Sequence, residues 1–176
     1  EGENVSVVAV KGNFDDCQRM VKAMFRDESL RREVRITSAN SINVARFLPQ
    51  AFYYFYAYAQ MKKIGKADNL VVCVPSGNFG NITAGLFGKK MGLPIKRFIA
   101  ANNKNDIFYK YLKSGEYKPR PSVSTIANAM DVGDPSNFAR VLDLYGYSHE
   151  EICKDIEGAT YCDEEISEMV SSAYKD

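Results

Sequence analysis

The apolar run Leu70-Val71-Val72-Cys73-Val74, with the turn Pro75-Ser76-Gly77-Asn78-Phe79-Gly80-Asn81 behind it, constrains this chain more than any other segment. Five apolar residues without polar alternation fit a parallel strand buried on both faces, because a half-exposed strand alternates with a period of two. A parallel strand needs a long crossover, and a helical pattern follows from about Asn81 to Met91. Ile95 to Ala101 then reads as another strand. The polar turn Asn102 to Asp106 opens a further helix. Strands alternating with helices predict an α/β fold, a three-layer open and mostly parallel sheet flanked by helices.

Upstream, Val5 to Val10 reads as a strand and Asn13 as the cap of a helix carrying Phe14, Cys17, Val21 and Met24. Arg26 to Arg32 reads as a charged connector, and Val34 and Ile36 as a second strand. Ser38 to Asn43 is a polar turn into a helical pattern that runs to Ile64, with Pro49 set to kink it or delay its start. The aromatic stretch Ala51 to Ala59 is expected to be a buried helix. Downstream, Gly115 to Asp134 is loop-rich. Asp134-Pro135 supplies a cap and a first-turn proline, Ser148 and Glu151 a capping box, and Asp163 a cap for a last helix bearing Ile166, Met169, Val170 and Ala173.

Charge narrows the partners. Lysine and arginine number 23 and aspartate and glutamate 22, a formal net charge of +1. That balance gives no general attraction to nucleic acid or to an anionic membrane, so an anion site must come from local geometry. No apolar run is long enough to span a bilayer, and no signal peptide is evident. Cys17, Cys73, Cys153 and Cys162 form no C-x-x-C pair, which fits reduced thiols in a cytoplasmic protein and no metal site. His149, the one histidine, is expected on the surface in the first turn of a helix. Glu1-Gly2-Glu3 carries no initiator methionine, which suggests a chain cut from a longer protein or a processed one.

The turn from Pro75 to Asn81 has the features of an anion site. Glycine lets the backbone come close to a ligand, successive N–H groups line one concavity, and a helix N-terminus adds partial positive charge. The spacing is neither G-x-x-x-x-G-K-[ST] nor G-x-G-x-x-G, which argues against a Walker-type NTPase and a common dinucleotide site. An ordinary glycine-containing strand-to-helix turn is the other reading of the same residues. A second candidate is Asn40-Ser41-Ile42-Asn43-Val44-Ala45-Arg46, where Asn and Ser at a helix start with Arg46 one turn on are the residue types that can converge on a phosphate. Taken on these residues alone, ordinary helix capping beside a surface arginine is the simpler reading, since such caps are common.

Val74-Pro-Ser-Gly-Asn-Phe-Gly-Asn81, Ala84-Gly85 and Lys89-Lys90-Met91-Gly92-Leu93-Pro94 together resemble the threonine synthase family. Three further stretches match it in order: Gly12-Asn13-Phe14-Asp15-Asp16-Cys17, Ser38-Ala39-Asn40-Ser41-Ile42-Asn43, and Ala129-Met130-Asp131-Val132-Gly133-Asp134-Pro135-Ser136-Asn137. The resemblance implies a fold-type II enzyme that uses pyridoxal 5'-phosphate (PLP), a carbon–oxygen lyase converting O-phosphohomoserine and water to threonine and phosphate. It implies that Gly77, Asn78, Phe79, Gly80 and Asn81 cradle the cofactor phosphate, and that Asn40, Ser41 and Arg46 bind the substrate phosphate. Residues 1–36 would end the smaller domain and residues 37–176 would form part of the larger, PLP-binding one.

The family's Schiff-base lysine lies upstream in a context that neither Lys154-Asp155 nor Lys175-Asp176 matches. An internal piece of the enzyme, inactive alone, is therefore expected, with cut surfaces prone to homo-oligomer formation. A dehydratase or cysteine-synthase-like enzyme would share the glycine turn but lack the Asn-Ser-x-Asn-x-x-Arg pattern and the Phe-Asp-Asp-Cys motif. A non-catalytic phosphate- or partner-binding α/β module is the reading from another class.

Overall fold

A three-stranded parallel sheet in the order β1-β2-β3 organises the larger part of the chain. It comprises β1 (Val71–Pro75), β2 (Arg97–Asn102) and β3 (Ile156–Thr160) in a computed structural model that describes residues 2–175. Val72 and Val74 pair with Phe98 and Ala100, and Phe98 pairs with Ile156, so these residues share one face. That face is the core: Val74, Phe98, Ala100 and Ile156 are buried with Ile82, Leu86, Phe108 and Val141. The opposite face leaves Val71 and Cys73 exposed. Burial of β1 on both faces is thus corrected for the described residues: the apolar run serves one covered face.

The chain divides into two compact units, Glu1–Ile36 and Thr37–Asp176. In the first, α1 (Phe14–Arg26) begins as the sequence predicts. Asn13 Oδ1 accepts from the Asp16 amide at 3.1 Å, and Asp16 accepts from the Asn13 amide at 2.9 Å, a reciprocal capping box. The connector expected after Arg26 is instead a short helix, α2 (Glu28–Glu33), because the Asp27 carboxylate caps Ser29 and Leu30. Val5 to Val10, and Val34 with Ile36, are not strands. Val8 is 81% exposed, and a strand without a neighbouring strand has no partner for its backbone groups.

In the second unit the helical pattern breaks at Pro49 as expected. Short α3 (Val44–Phe47) runs into a 3-10 turn at Leu48–Gln50 and then α4 (Ala51–Lys63). Burial of α4 is one-sided: Tyr54 and Phe55 pack on the core, while Tyr53 is 73% exposed. The crossover helix α5 (Gly80–Lys90) follows β1, and α6 (Ile107–Ser114) follows β2. Then come α7 (Phe138–Leu144), α8 (His149–Asp155) and α9 (Asp163–Lys175).

Three local expectations need correction. Asp134-Pro135 does not cap α7, whose N-cap position is Asn137 with its side chain employed elsewhere. Asp163 is the first residue of α9 and forms an ion pair with Lys104. His149 does open α8, but it is half-buried, with Nε2 3.1 Å from the carbonyls of Tyr111 and Leu112 and its ring edge-on to Tyr111. It pins α8 to the end of α6.

Candidate phosphate-binding site at the end of strand β1

The backbone leaves β1 at Ser76, whose N–H still bonds the Ala101 carbonyl of β2 at 3.0 Å. Asn81 then braces the turn from inside. Its Nδ2 donates to the Pro75 carbonyl at 2.8 Å, and its Oδ1 accepts from the Ile82 amide at 2.9 Å. From α4, the Tyr54 hydroxyl donates to the Asn81 carbonyl at 2.8 Å. Burial pushes the Tyr54 phenol up to about 12, so it stays a donor at neutral pH.

Phe79 sits immediately before α5 with φ +63°, the left-handed region that side chains other than glycine avoid. Such a residue costs roughly 1–3 kcal/mol and persists where its surroundings over-determine it. Here the ring is 1% exposed and lies 4.4 Å, centroid to centroid, from Phe108. The Phe79 carbonyl takes both the Thr83 amide at 3.0 Å and the Thr83 hydroxyl at 2.5 Å. Burying an aromatic side chain of this size is worth about 1.5–3 kcal/mol, enough to hold the strained turn.

The turn braces itself through side chains and leaves main-chain donors open. Among the described residues, the N–H groups of Gly77, Phe79, Gly80 and Asn81 have no acceptor. For Gly80 and Asn81 this follows from their place in the first turn of α5, which has no preceding carbonyls to bond. Nearby, Asn102 at the end of β2 is 4% exposed. Its Nδ2 holds the Ser76 carbonyl at 2.9 Å, while its buried Oδ1 has no partner. Open amides at a helix N-terminus beside the carboxyl ends of parallel strands fit a phosphate monoester. The orphan Asn102 oxygen remains an acceptor for a water or a protonated group.

The glycines of the turn make room for protein rather than for ligand. A Cβ on Gly77 would stand 2.8 Å from the Met130 Cα, and one on Gly80 would stand 2.7 Å from the Ser41 Cβ. Gly77 therefore admits the 127–131 loop, which the Asp131 carboxylate fastens. Asp131 Oδ1 accepts from Asn103 at 2.8 Å, Asn105 at 3.0 Å and the Thr125 hydroxyl at 2.7 Å. Gly80 admits the second candidate segment.

That second segment meets the first through Ser41. The Ser41 Oγ accepts from Asn78 Nδ2 at 3.2 Å and from Asn137 Nδ2 at 3.0 Å, and donates to Asn40 Oδ1 at 3.2 Å. Asn43 caps α3 through the Ala45 amide at 3.0 Å. Arg46 is exposed, and its Nε bonds the Ala39 carbonyl at 3.0 Å. The structure thus brings Asn40, Ser41 and Asn78 together, and places Arg46 on the same turn without a direct bond to Ser41.

Sequence reasoning missed Ser136, Asn137, Arg140, Asn102 and Tyr54. The Ser136 amide and hydroxyl bond Asn78 Oδ1 at 2.8 and 2.9 Å. Arg140 bonds the carbonyls of Ser41 and Ile42 at 2.9 and 2.6 Å. The motif ending in Ser136-Asn137 was visible, but it reads locally as a helix start.

The model of the family described as pyridoxal-phosphate dependent enzyme matches residues 2–176. The chain belongs to the pyridoxal-phosphate-dependent enzyme family. Within that family it is 54% identical over 144 residues to the threonine synthase of Haemophilus influenzae, covering 82% of this chain and 34% of that protein. The crystal structure of threonine synthase from Escherichia coli superposes with a TM-score of 0.84 at 45% identity, covering 93% of this chain and 38% of that one. A PLP-bound threonine synthase from Brucella melitensis superposes at 0.79 with 33% identity, over 98% of this chain and 42% of that one. The chain spans about a third of the length of the curated relatives it matches. Among the described residues no helix is long and apolar enough to cross a membrane.

Proposed function

We propose that this chain is the phosphate-gripping part of a threonine synthase, a PLP-dependent carbon–oxygen lyase that converts O-phosphohomoserine and water to threonine and phosphate. The observation that carries the reading is the set of open amides at Gly77, Phe79, Gly80 and Asn81, joined through Ser41 to a second polar turn. When bound, PLP supplies an electron sink for the amino-acid substrate. The residues of this chain do the holding. The four amides and the N-terminus of α5 anchor the cofactor phosphate, with the Asn81 side chain and Tyr54 keeping the turn in shape.

Asn40, Ser41 and Arg46 bind the substrate phosphate. Ser41 offers its hydroxyl proton and Arg46 its exposed guanidinium. The boundary after Ile36 then separates the end of a smaller domain from a larger, PLP-binding one. No lysine of the chain stands in the family's cofactor-lysine context, so a lysine elsewhere in the full-length protein carries the cofactor covalently. The exposed residues Val71, Cys73 and Tyr53 are surfaces through which the isolated chain self-associates. The reading is tested by supplying O-phosphohomoserine to the PLP-loaded full-length protein. Equal amounts of threonine and inorganic phosphate are expected, and release of neither would refute it.

A further inference from the structure

We propose that Asn137 and Arg140 of α7 are positioning residues that set the cofactor-phosphate turn and the substrate-phosphate turn as one unit; the inference rests on the function proposed above. Asn137 is 0% exposed, and its whole amide is engaged. Its Nδ2 donates to the Asn78 carbonyl at 2.9 Å and to Ser41 Oγ at 3.0 Å, and its Oδ1 accepts from Arg140 Nη1. The amide orientation is fixed by chemistry, since a guanidinium only donates and a carbonyl only accepts.

Two consequences follow for the anion sites. The peptide between Asn78 and Phe79 is planar and trans, so its C=O and N–H point in opposite directions. Holding the Asn78 carbonyl on Asn137 therefore turns the Phe79 N–H, one of the open donors, the other way. At Ser41 the hydroxyl oxygen receives two amide hydrogens, from Asn78 and Asn137. Both of its lone pairs are then occupied, and its own proton is what remains to give. That proton now lies toward Asn40 Oδ1, and an anion arriving on that side takes it in place of Asn40 while the two amide hydrogens stay on the oxygen.

Arg140 completes the device from below. Its guanidinium holds the Ser41 and Ile42 carbonyls at 2.9 and 2.6 Å and lies 4.6 Å over the Phe47 ring. Its charge is directed to main-chain oxygens of the substrate turn and to Asn137, a planar fork that a lysine does not reproduce.

The test uses the full-length protein, with PLP affinity read by equilibrium dialysis. Hydrogen–deuterium exchange is followed over residues 76–81 and 38–46 with PLP or inorganic phosphate added, and KM is measured separately from kcat. Asn137→Ala is expected to weaken PLP binding and phosphate protection of residues 38–46 by about tenfold each, because it removes the bond that orients the Asn78 carbonyl and leaves Ser41 one donor short. Arg140→Lys is expected to raise the KM for O-phosphohomoserine about tenfold with PLP affinity within about twofold of wild type, since the carbonyls it releases belong to the substrate turn while Asn137 keeps its own bonds to Asn78 and Ser41. A lowered melting temperature with both affinities unchanged would make the pair merely structural and overturn the proposal. Should Asn137→Ala not fold, Arg140→Lys decides, and an unchanged KM overturns it. If wild-type protein gives no PLP protection at residues 76–81, the proposed function itself falls, and this inference with it.

Discussion

Gly80→Ala sets two physical effects against each other. Gly80 is the first residue of α5 and has no positive φ, so helix propensity alone predicts that alanine stabilises by up to about 1 kcal/mol. Sterics predict the reverse. The new Cβ would lie 2.7 Å from the Ser41 Cβ, 3.0 Å from its Oγ and 3.4 Å from Asn137 Nδ2. Ser41 must retreat about 0.7 Å to reach the 3.4 Å at which ordinary contact begins. Its bonds to Asn78 and Asn137, now 3.2 and 3.0 Å, would then stretch beyond hydrogen-bonding range. Two lost bonds at about 1 kcal/mol each, with an overpacking cost of about 1–3 kcal/mol, outweigh the propensity gain and leave a net loss of about 2–4 kcal/mol. Urea unfolding of the full-length protein with and without PLP measures it. A variant as stable as wild type, or more stable, would refute the claim that Gly80 exists to admit Ser41.

Tyr54→Phe removes the bond to the Asn81 carbonyl and should cost about 1 kcal/mol, visible as a lower urea midpoint. Because burial raises the Tyr54 phenol to about 12, the folded state holds that proton more tightly than the unfolded chain does. Its contribution is complete below about pH 10 and is lost as pH rises through 12; burial also raises Tyr145 and Tyr111, so wild type should lose on the order of 2 kcal/mol more in that window than Tyr54→Phe does. Asp131→Ala removes the acceptor of the Thr125 amide and hydroxyl, and one of the acceptors of Asn103 and of Asn105, and should cost about 3 kcal/mol by thermal or urea unfolding. Arg46→Ala should raise the KM for O-phosphohomoserine about tenfold with little change in kcat, and an unchanged KM would remove Arg46 from the substrate site.

What the sequence disclosed was local. The Asn13 box, the break at Pro49 and the strand–turn–helix from Leu70 to Lys90 all follow from residues a few positions apart. β3 was illegible because Ile156-Glu157-Gly158-Ala159-Thr160 has weak strand character; it forms on the free edge of β2. Conversely, Val5 to Val10 carries strand-forming residues without a neighbouring strand. α2 hid in a charged stretch whose signal was the Asp27 cap. At the site, the open amides were foreseeable from Pro75 to Asn81, but their bracing was not. Asn137 reaches Ser41 across 96 residues and Asn78 across 59, and no periodicity carries that distance. The reason for the glycines also reverses once Met130 and Ser41 are seen filling the space.

Amide proton shifts of Gly77, Phe79, Gly80 and Asn81, followed by nuclear magnetic resonance as PLP is added to isotope-labelled protein, test the central claim most directly. Hydrogen bonding to a phosphate moves such protons downfield, so all four should shift together and saturate with one binding curve. Shifts confined to other residues, with these four unmoved at saturating PLP, would contradict it.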